Sequence, residues 1–160
     1  MSDSPGSGGS THAENFERSP DSSIEWYPRV GESPEFSDVP EPIAEAAKEA
    51  HSASSVNCPM AAILMARTVV EATAKNKGIT SGRLFEKIDA LETAGLIRPS
   101  TKDAAHEIRY LGNDMAHGDI GDRPTADDAQ DVLELMGEVL NEVFQGPART
   151  ARIKAKRSTK

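Results

Sequence analysis

MAAILMARTVVEATA, residues 60–74, is the segment that decides the fold, and its only charged residues are Arg67 and Glu71. A helix that is apolar on nearly every side is buried at the centre of its domain. The two charges lie one helical turn apart, so they can pair along the helix. Buried charges are costly unless they are paired and hydrogen-bonded. We therefore predict a central helix whose two charges form an internal ion pair or face a polar pocket.

Capping and turn residues divide the rest of the chain into further helices. We predict five helices in all, at about 41–53, 57–78, 80–95, 100–117 and 125–146. Ser100 with Asp103, and Thr125 with Asp128, have the spacing of capping boxes. No segment alternates like a strand. The pattern predicts an all-α fold, an antiparallel bundle of four to five helices, because short connections favour antiparallel neighbours.

Apolar residues at helical spacing predict which side of each helix is buried. The third helix is expected to bury Leu84, Ile88 and Leu91, the fourth Ala104, Ile108, Leu111 and Met115, and the fifth Val132, Leu133, Met136, Val139, Leu140, Val143 and Phe144.

The two ends of the chain differ from this helical region in composition. Residues 1–23 are rich in Ser, Gly and Pro and are predicted to be disordered. Residues 24–39 are predicted to form an extended arm anchored by Trp26, residues 40–147 the bundle, and residues 148–160 a basic flexible tail. Such a tail either contacts nucleic-acid phosphates or only increases solubility.

Charge and cysteine content narrow the functional classes. The net charge is -8, yet residues 147–160 carry six bases and no acid. A single cysteine, Cys58, excludes an internal disulfide and a cysteine-rich zinc cluster. Neither a membrane span nor a signal peptide is recognisable, and His12, His51 and His106 are expected to be solvated. These features predict a cytoplasmic protein without a metal or another cofactor.

The fourth predicted helix carries the candidate site, in EIRYLGNDMAHG, residues 107–118. Arg109, Asn113 and His117 are each four positions apart, so they step round the helix by about 40° and stay on one side. A cation, an amide and an imidazole can therefore meet at one anion. Gly112 costs roughly 1 kcal/mol against alanine inside a helix. Close contact with another helix, such as one from a second subunit, would explain that cost and predicts a homodimer.

The order of several motifs resembles an uncharacterised branch of the HEPN superfamily that occurs alone or fused to restriction-type defence proteins. The motifs are EWYP, DVPEPIAEAAKEA, AAILMARTVVEATA, LFEKIDALETAGLI, EIRYLGNDMAHG and TADDAQDVLELMGEVLNEVF. The resemblance implies a dimerising helical bundle, which in active members is a metal-independent ribonuclease with an arginine, a polar residue and a histidine. Asn113 and His117 match the last two. Gly112 stands where active members carry the arginine, and the nearest arginine in this segment is Arg109.

Two functional hypotheses follow. In the first, the protein acts on RNA as a toxin or anti-phage effector. His117 would then be the general base, Arg109 would stabilise the phosphorane, Asn113 would orient the phosphate, and Arg67 and Glu71 would support the site from the second helix. In the second hypothesis the chain is a non-catalytic dimerisation or adaptor module serving a partner protein of a defence or restriction system. Gly112 favours the second hypothesis, and the retained polar residues favour the first.

Overall fold

The computed structural model describes residues 31–116 and 123–158 of the chain, and every regular element in these ranges is helical, as predicted. The helices are α1 (Glu41–Ser55), α2 (Pro59–Asn76), α3 (Leu84–Thr93), α4 (Pro99–Ala116) and α5 (Ala126–Leu140). A π-helical turn, Asn141–Gln145, continues α5 directly into α6, Gly146–Ser158.

Helix α2 lies at the centre of the bundle, as its composition predicts. It packs against α1, α3, α4 and α5. Ile63, Val69 and Val70 on this helix have no exposed surface. Only three residues, 56–58, connect α1 to α2, so these two extensively packed helices run antiparallel. Gly78, with φ of +86°, ends the helix in the left-handed conformation that glycine adopts without strain.

The core is aliphatic, and most of the predicted core residues are buried. All seven predicted positions of the last helix and all three of α3 are buried. On α4, Ala104 and Ile108 are buried, but the prediction for Leu111 is wrong because its side chain is 41% exposed. The buried stripe of α4 runs through positions 101, 104, 105, 108 and 112. At 100° per residue, position 111 lies about 80° from the middle of that stripe. The side chain of Met115 lies outside the described part of the structure.

The two predicted capping boxes have different outcomes. Thr125 caps α5 as predicted: the Asp128 amide donates to Thr125 Oγ1 at 3.1 Å, and the Thr125 amide donates to Asp128 Oδ2 at 2.7 Å. The box predicted at Ser100 is wrong, because α4 begins one residue earlier, at Pro99. Proline has the helical φ built in and is favoured at the first position of a helix. The Lys102 amide accordingly bonds to the carbonyl of Arg98.

The C-terminal end differs from the predicted flexible tail. The last helix does not stop near residue 146, since α6 extends it to Ser158. Within the π-helical turn, the Gly146 amide bonds to the Asn141 carbonyl, five residues back. This wider turn directly precedes Pro147, which lacks the amide that a regular helix needs at its interior positions. Arg152 ties α6 to the bundle through a 2.6 Å bond from its Nη1 to Asp38 Oδ1.

The described part of the arm begins at Gly31 and lies against α1. The Glu32 amide donates to Ser55 Oγ at 2.8 Å. Trp26 and the segment predicted to be disordered, residues 1–23, lie outside the described residues. None of the helices that the structure describes is long and apolar enough to cross a membrane.

Candidate anion-binding cleft

Helices α2, α3 and α4 enclose a surface cleft of about 510 Å³, which contains four of the five predicted site residues. Arg67 and Glu71 line it from α2, and Arg109 and Asn113 from α4. The other lining residues come from α3 and the turn before it: Gly82, Arg83, Leu84, Phe85 and Lys87. The fifth predicted residue, His117, lies outside the described residues.

The cleft is strongly basic in an acidic chain. Its lining holds four cations, namely Arg67, Arg83, Lys87 and Arg109, and one acid, Glu71. The whole chain carries a net charge of -8. The lining therefore has an excess of positive charge, which attracts anions.

Of the two alternatives predicted for Arg67 and Glu71, the internal ion pair is wrong, and both residues instead line the cleft. Lys87 Nζ, from α3, lies 2.8 Å from Glu71 Oε1, and Lys75 Nζ lies 2.9 Å from the same oxygen. The hydrogen bonds from these two lysines, that from Lys87 foremost, lower the pKa of Glu71 to about 2. Lys87 is only 5% exposed, so the carboxylate compensates a buried ammonium group. The lysines satisfy Glu71 and leave Arg67 to other partners.

The Nε atoms of Arg67 and Arg109 have no hydrogen-bond partner among the described residues. The Nε of each side chain is buried and has no hydrogen-bond acceptor within the part of the chain that the structure describes. Neither arginine forms an ion pair with a described acid. A buried N–H group without an acceptor costs about 1–3 kcal/mol, and more in a charged group. Two such cations in one cleft are therefore the strongest sign of an anionic ligand.

Gly112 makes room for Arg67. A Cβ atom on Gly112 would lie 2.8 Å from Arg67 Cδ and 3.2 Å from Arg67 Cβ. The close contact with another helix that Gly112 predicts is thus present, but the neighbour is α2 of the same chain and not a second subunit. Ala105, another small residue on the same side of α4 as Gly112, is fully buried in the core. The homodimer stays a prediction, but Gly112 no longer supports it.

Two aromatic side chains border Arg109. The guanidinium carbon Cζ lies 3.9 Å from the ring centroid of Tyr110 and 5.5 Å from that of Phe85. Both distances permit a cation–π attraction, which is strongest when the cation lies over the ring face. The rings pack against Arg109, which lines the cleft, without neutralising its charge.

Sequence reasoning missed the contribution of α3. Lys87 lies among the apolar positions 84, 88 and 91 of that helix, so it interrupts a buried stripe. A lysine at such a position needs a buried acid, and that signal was available from the sequence. Arg83 and Phe85 carried no comparable signal, because both lie at exposed positions.

One predicted surface histidine is instead largely covered. The side chain of His106 is 13% exposed, and its Nε2 lies 3.1 Å from Asp89 Oδ1. Its ring packs on Phe85, with 5.1 Å between the centroids. His106 therefore supports one of the aromatic rings beside the cleft and is not free in solvent. Burial lowers the pKa of His51, which packs on Phe36 away from the cleft.

The chemistry open to the cleft is anion binding. Within residues 31–116 and 123–158, no group of three or more His, Cys, Asp or Glu side chains is placed to hold a metal ion. Two guanidinium groups offer planar N–H donors that match phosphate oxygens. Asn113 adds an amide that donates or accepts.

Comparison with known proteins places this helical unit in a family. The family model described as a domain of unknown function, DUF4145, matches residues 48–156. This range includes every residue that lines the cleft. No curated protein and no solved structure matches the chain. Because the model covers more than half of the sequence, the chain belongs to the DUF4145 family.

Proposed function

We propose that the cleft binds the phosphate backbone of RNA and that the chain is a HEPN-like, defence-associated cytoplasmic protein. The observation that carries the proposal is the pair of buried arginine Nε groups without acceptors, on Arg67 and Arg109. A phosphate in the cleft would accept from both guanidinium groups. The proposal thus removes a cost that the described residues leave in place.

Arg67 lies next to Gly112, the position at which this chain departs from the motif of active HEPN members. The resemblance expects an arginine where this chain has Gly112. The aliphatic part of Arg67 occupies the space in which a side chain at position 112 would begin, since its Cδ lies 2.8 Å from the ideal Cβ position. We infer that Arg67, from α2, supplies the cation that active members carry at the position of Gly112. This contact favours a catalytic function.

The chemistry proposed for cleavage needs no metal. His117 would take the proton of a ribose 2′-hydroxyl while the 2′-oxygen attacks the adjacent phosphorus. The bond to the 5′-oxygen then breaks, and that oxygen takes a proton from the imidazolium or from water. Arg67 and Arg109 would stabilise the extra negative charge of the phosphorane. The products are a 2′,3′-cyclic phosphate and a 5′-hydroxyl.

Fluorescence anisotropy with a labelled single-stranded RNA of about 20 nucleotides tests binding. A lost charge-assisted hydrogen bond is worth about 1.5–3 kcal/mol, so Arg67→Ala and Arg109→Ala should each weaken binding about 10- to 100-fold. Arg98→Ala removes the same charge outside the cleft, where Arg98 pairs with Glu142, and should change affinity by less than about threefold. Unchanged affinity in both cleft variants, with unchanged melting temperature, would contradict the proposal.

Moving the arginine tests the role assigned to Arg67. In Arg67→Ala the space beside Gly112 is empty, so an arginine at position 112 can enter it. The double variant Arg67→Ala, Gly112→Arg should recover most of the affinity that Arg67→Ala loses. The single variant Gly112→Arg should fold poorly, because two arginines compete for one space. No recovery in a double variant with normal melting temperature would show that Arg67 acts by another route.

Cleavage is tested with the same RNA in the presence of EDTA. We expect EDTA to leave the rate unchanged, the products to end in a 2′,3′-cyclic phosphate, and His117→Ala to reduce the rate by about 10²–10⁴, the usual contribution of a general base. A growth defect on expression that His117→Ala relieves would support a toxin or anti-phage role. Cleavage that EDTA abolishes would contradict the mechanism.

The alternative function is a non-catalytic dimerisation or adaptor module for a defence partner. It is favoured by exposed apolar side chains on α4: Tyr110 is 56% exposed and Leu111 41%. Exposed apolar patches often mark protein interfaces. Light scattering at micromolar concentration should show a homodimer, and a single species of 17.1 kDa would contradict that expectation. A dimer that binds no RNA would favour the adaptor function.

A further inference from the structure

Exposed aromatic surface lies next to Arg109, one of the residues that line the cleft, in a chain that has little such surface. Aromatic residues make up 4% of the sequence. Four large hydrophobic side chains are exposed within the described residues, and two of them, Phe85 and Tyr110, border Arg109. Tyr110 is 56% exposed and Phe85 45%. Burial of apolar surface normally accompanies folding, so this exposed pair calls for a ligand-based reason.

We propose that Tyr110 is a stacking platform for one unpaired nucleobase, so that the cleft takes a single-stranded nucleic acid and not a duplex. This inference rests on the proposed binding of a phosphate by Arg67 and Arg109, and it adds the part of the ligand that lies beyond the phosphate.

The arrangement of the rings supports a base at this place. Arg109 lies over one face of Tyr110, at 3.9 Å from the centroid, while more than half of the residue is open to solvent. A guanidinium group on one face and a base on the other form a continuous stack, because both are flat and polarisable. Arg109 contacts the Tyr110 ring and is also one of the two arginines proposed to bind the phosphate. A base on Tyr110 and the phosphate of the same nucleotide would therefore bind neighbouring side chains.

The cleft has the size of a small-ligand site. About 510 Å³ falls within the roughly 300–1,000 Å³ of small-ligand sites, which suits one nucleotide. A base within a duplex has both faces covered by its neighbours, and a platform for stacking accepts only a base that is free of such neighbours. Duplex RNA is instead recognised across its minor groove by its shape and its hydroxyl groups.

The test compares three labelled ligands by anisotropy: a single-stranded RNA, the same sequence in a blunt duplex, and a strand of equal length with abasic residues. Each is measured with the full chain, with Tyr110→Phe, which keeps the ring, and with Tyr110→Leu, which keeps an apolar helical side chain. We expect the single strand to bind the full chain more tightly than the duplex. Tyr110→Leu should weaken single-strand binding about 5- to 100-fold, the range measured for the loss of one stacked base.

Tyr110→Leu should leave affinity for the abasic strand within about twofold of the full chain, and Tyr110→Phe should bind all three ligands normally. Equal weakening of abasic and base-bearing strands by Tyr110→Leu would overturn the inference, since Tyr110 would then only position Arg109. Equal affinity for duplex and single strand would overturn it as well. In both cases the loss of binding in Arg67→Ala would remain, so the proposed function is judged separately.

A change of assembly is the remaining outcome. If light scattering shows that Tyr110→Leu dissociates a dimer, the exposed ring belongs to a protein interface and the inference is overturned. An unchanged mass together with selective loss of base-bearing strands supports it.

Discussion

Glu71 and Arg67 lie one turn apart on the same central helix, but they differ in the hydrogen-bond partners of their charged groups. Glu71 accepts from two lysines, at 2.8 and 2.9 Å. Arg67 has a buried Nε without an acceptor in the described residues, as does Arg109 across the cleft. A charge that is already satisfied contributes to folding, and a charge that is held without a partner is available for a ligand. The contrast separates the structural part of the cleft from its binding part.

The largest effect on stability is expected from removing the satisfied charge. Glu71→Gln leaves Lys87, which is 5% exposed, without a carboxylate partner. Because Glu71 itself is partly exposed, we expect a loss of about 2–3 kcal/mol in the free energy of unfolding, below the roughly 3–5 kcal/mol of fully buried pairs. Urea denaturation measures this loss.

Arg67→Gln is the matched comparison, since it removes a charge that has no ion-pair partner among the described residues. It should weaken RNA binding without lowering the free energy of unfolding, because it removes a buried N–H group that lacks an acceptor in that part of the chain. Equal destabilisation by both substitutions would remove the distinction between the two charges.

A graded effect of acid follows from the same carboxylate. The lysines lower the pKa of Glu71 from 4.5 to about 2 in the folded chain. A lowered pKa contributes stability that is complete above pH 4.5 and is lost as the pH falls towards 2, because the unfolded chain binds the proton first. Melting temperatures between pH 6 and pH 2 should therefore fall more steeply for the parent chain than for Glu71→Gln. Parallel curves would show that Glu71 is not stabilised in this way.

A smaller effect is expected at Gly112, where helix preference and packing oppose each other. Alanine favours a helix by roughly 1 kcal/mol, but its Cβ would lie 2.8 Å from Arg67 Cδ. We expect Gly112→Ala to destabilise the chain by about 1 kcal/mol because overpacking outweighs preference. With Arg67→Ala in place the same change should stabilise it by about 1 kcal/mol. A double-mutant cycle by urea denaturation measures this coupling, and additive effects would refute the contact.

The smallest effect separates the two lysines that share Glu71. The Lys75 side chain is 52% exposed and that of Lys87 is 6% exposed, although their distances to Glu71 Oε1 differ by only 0.1 Å. Lys75→Ala should cost less than about 0.5 kcal/mol, as for other exposed pairs one turn apart. High salt should reduce the difference in melting temperature between the parent chain and Lys75→Ala. A cost comparable to that of Glu71→Gln would mean that burial does not set the value of the pair.

The sequence was sufficient for the helices and for one side of the cleft. Periodicity placed Arg109 and Asn113 on the same side of α4, and the apolar run around Arg67 identified the central helix. The pairing of Glu71 with Lys87 joins residues 16 positions apart, and such a contact depends on how α2 and α3 cross. Arg67 was the nearer candidate in sequence, so local spacing favoured the wrong partner.

Local sequence did not reveal the origin of the neighbour at Gly112 or the end of the last helix. A glycine within a helix indicates a close approach, but it does not indicate whether the neighbour belongs to the same chain. The end of the last helix was placed at a glycine and a proline, which usually stop a helix. Here the turn before Pro147 widens to a bond between residues 141 and 146, and the helix continues.

That widened turn also determines how the side chains of α6 are oriented around the helix axis. One added residue rotates all later side chains by about 100° around the helix axis, without changing its direction by much. The position of Arg152 over Asp38, and the direction in which the five bases of residues 147–158 are presented, therefore depend on the number of residues in Asn141–Gln145. The number of residues in this turn thus determines which neighbours the side chains of α6 can contact, independently of their charge.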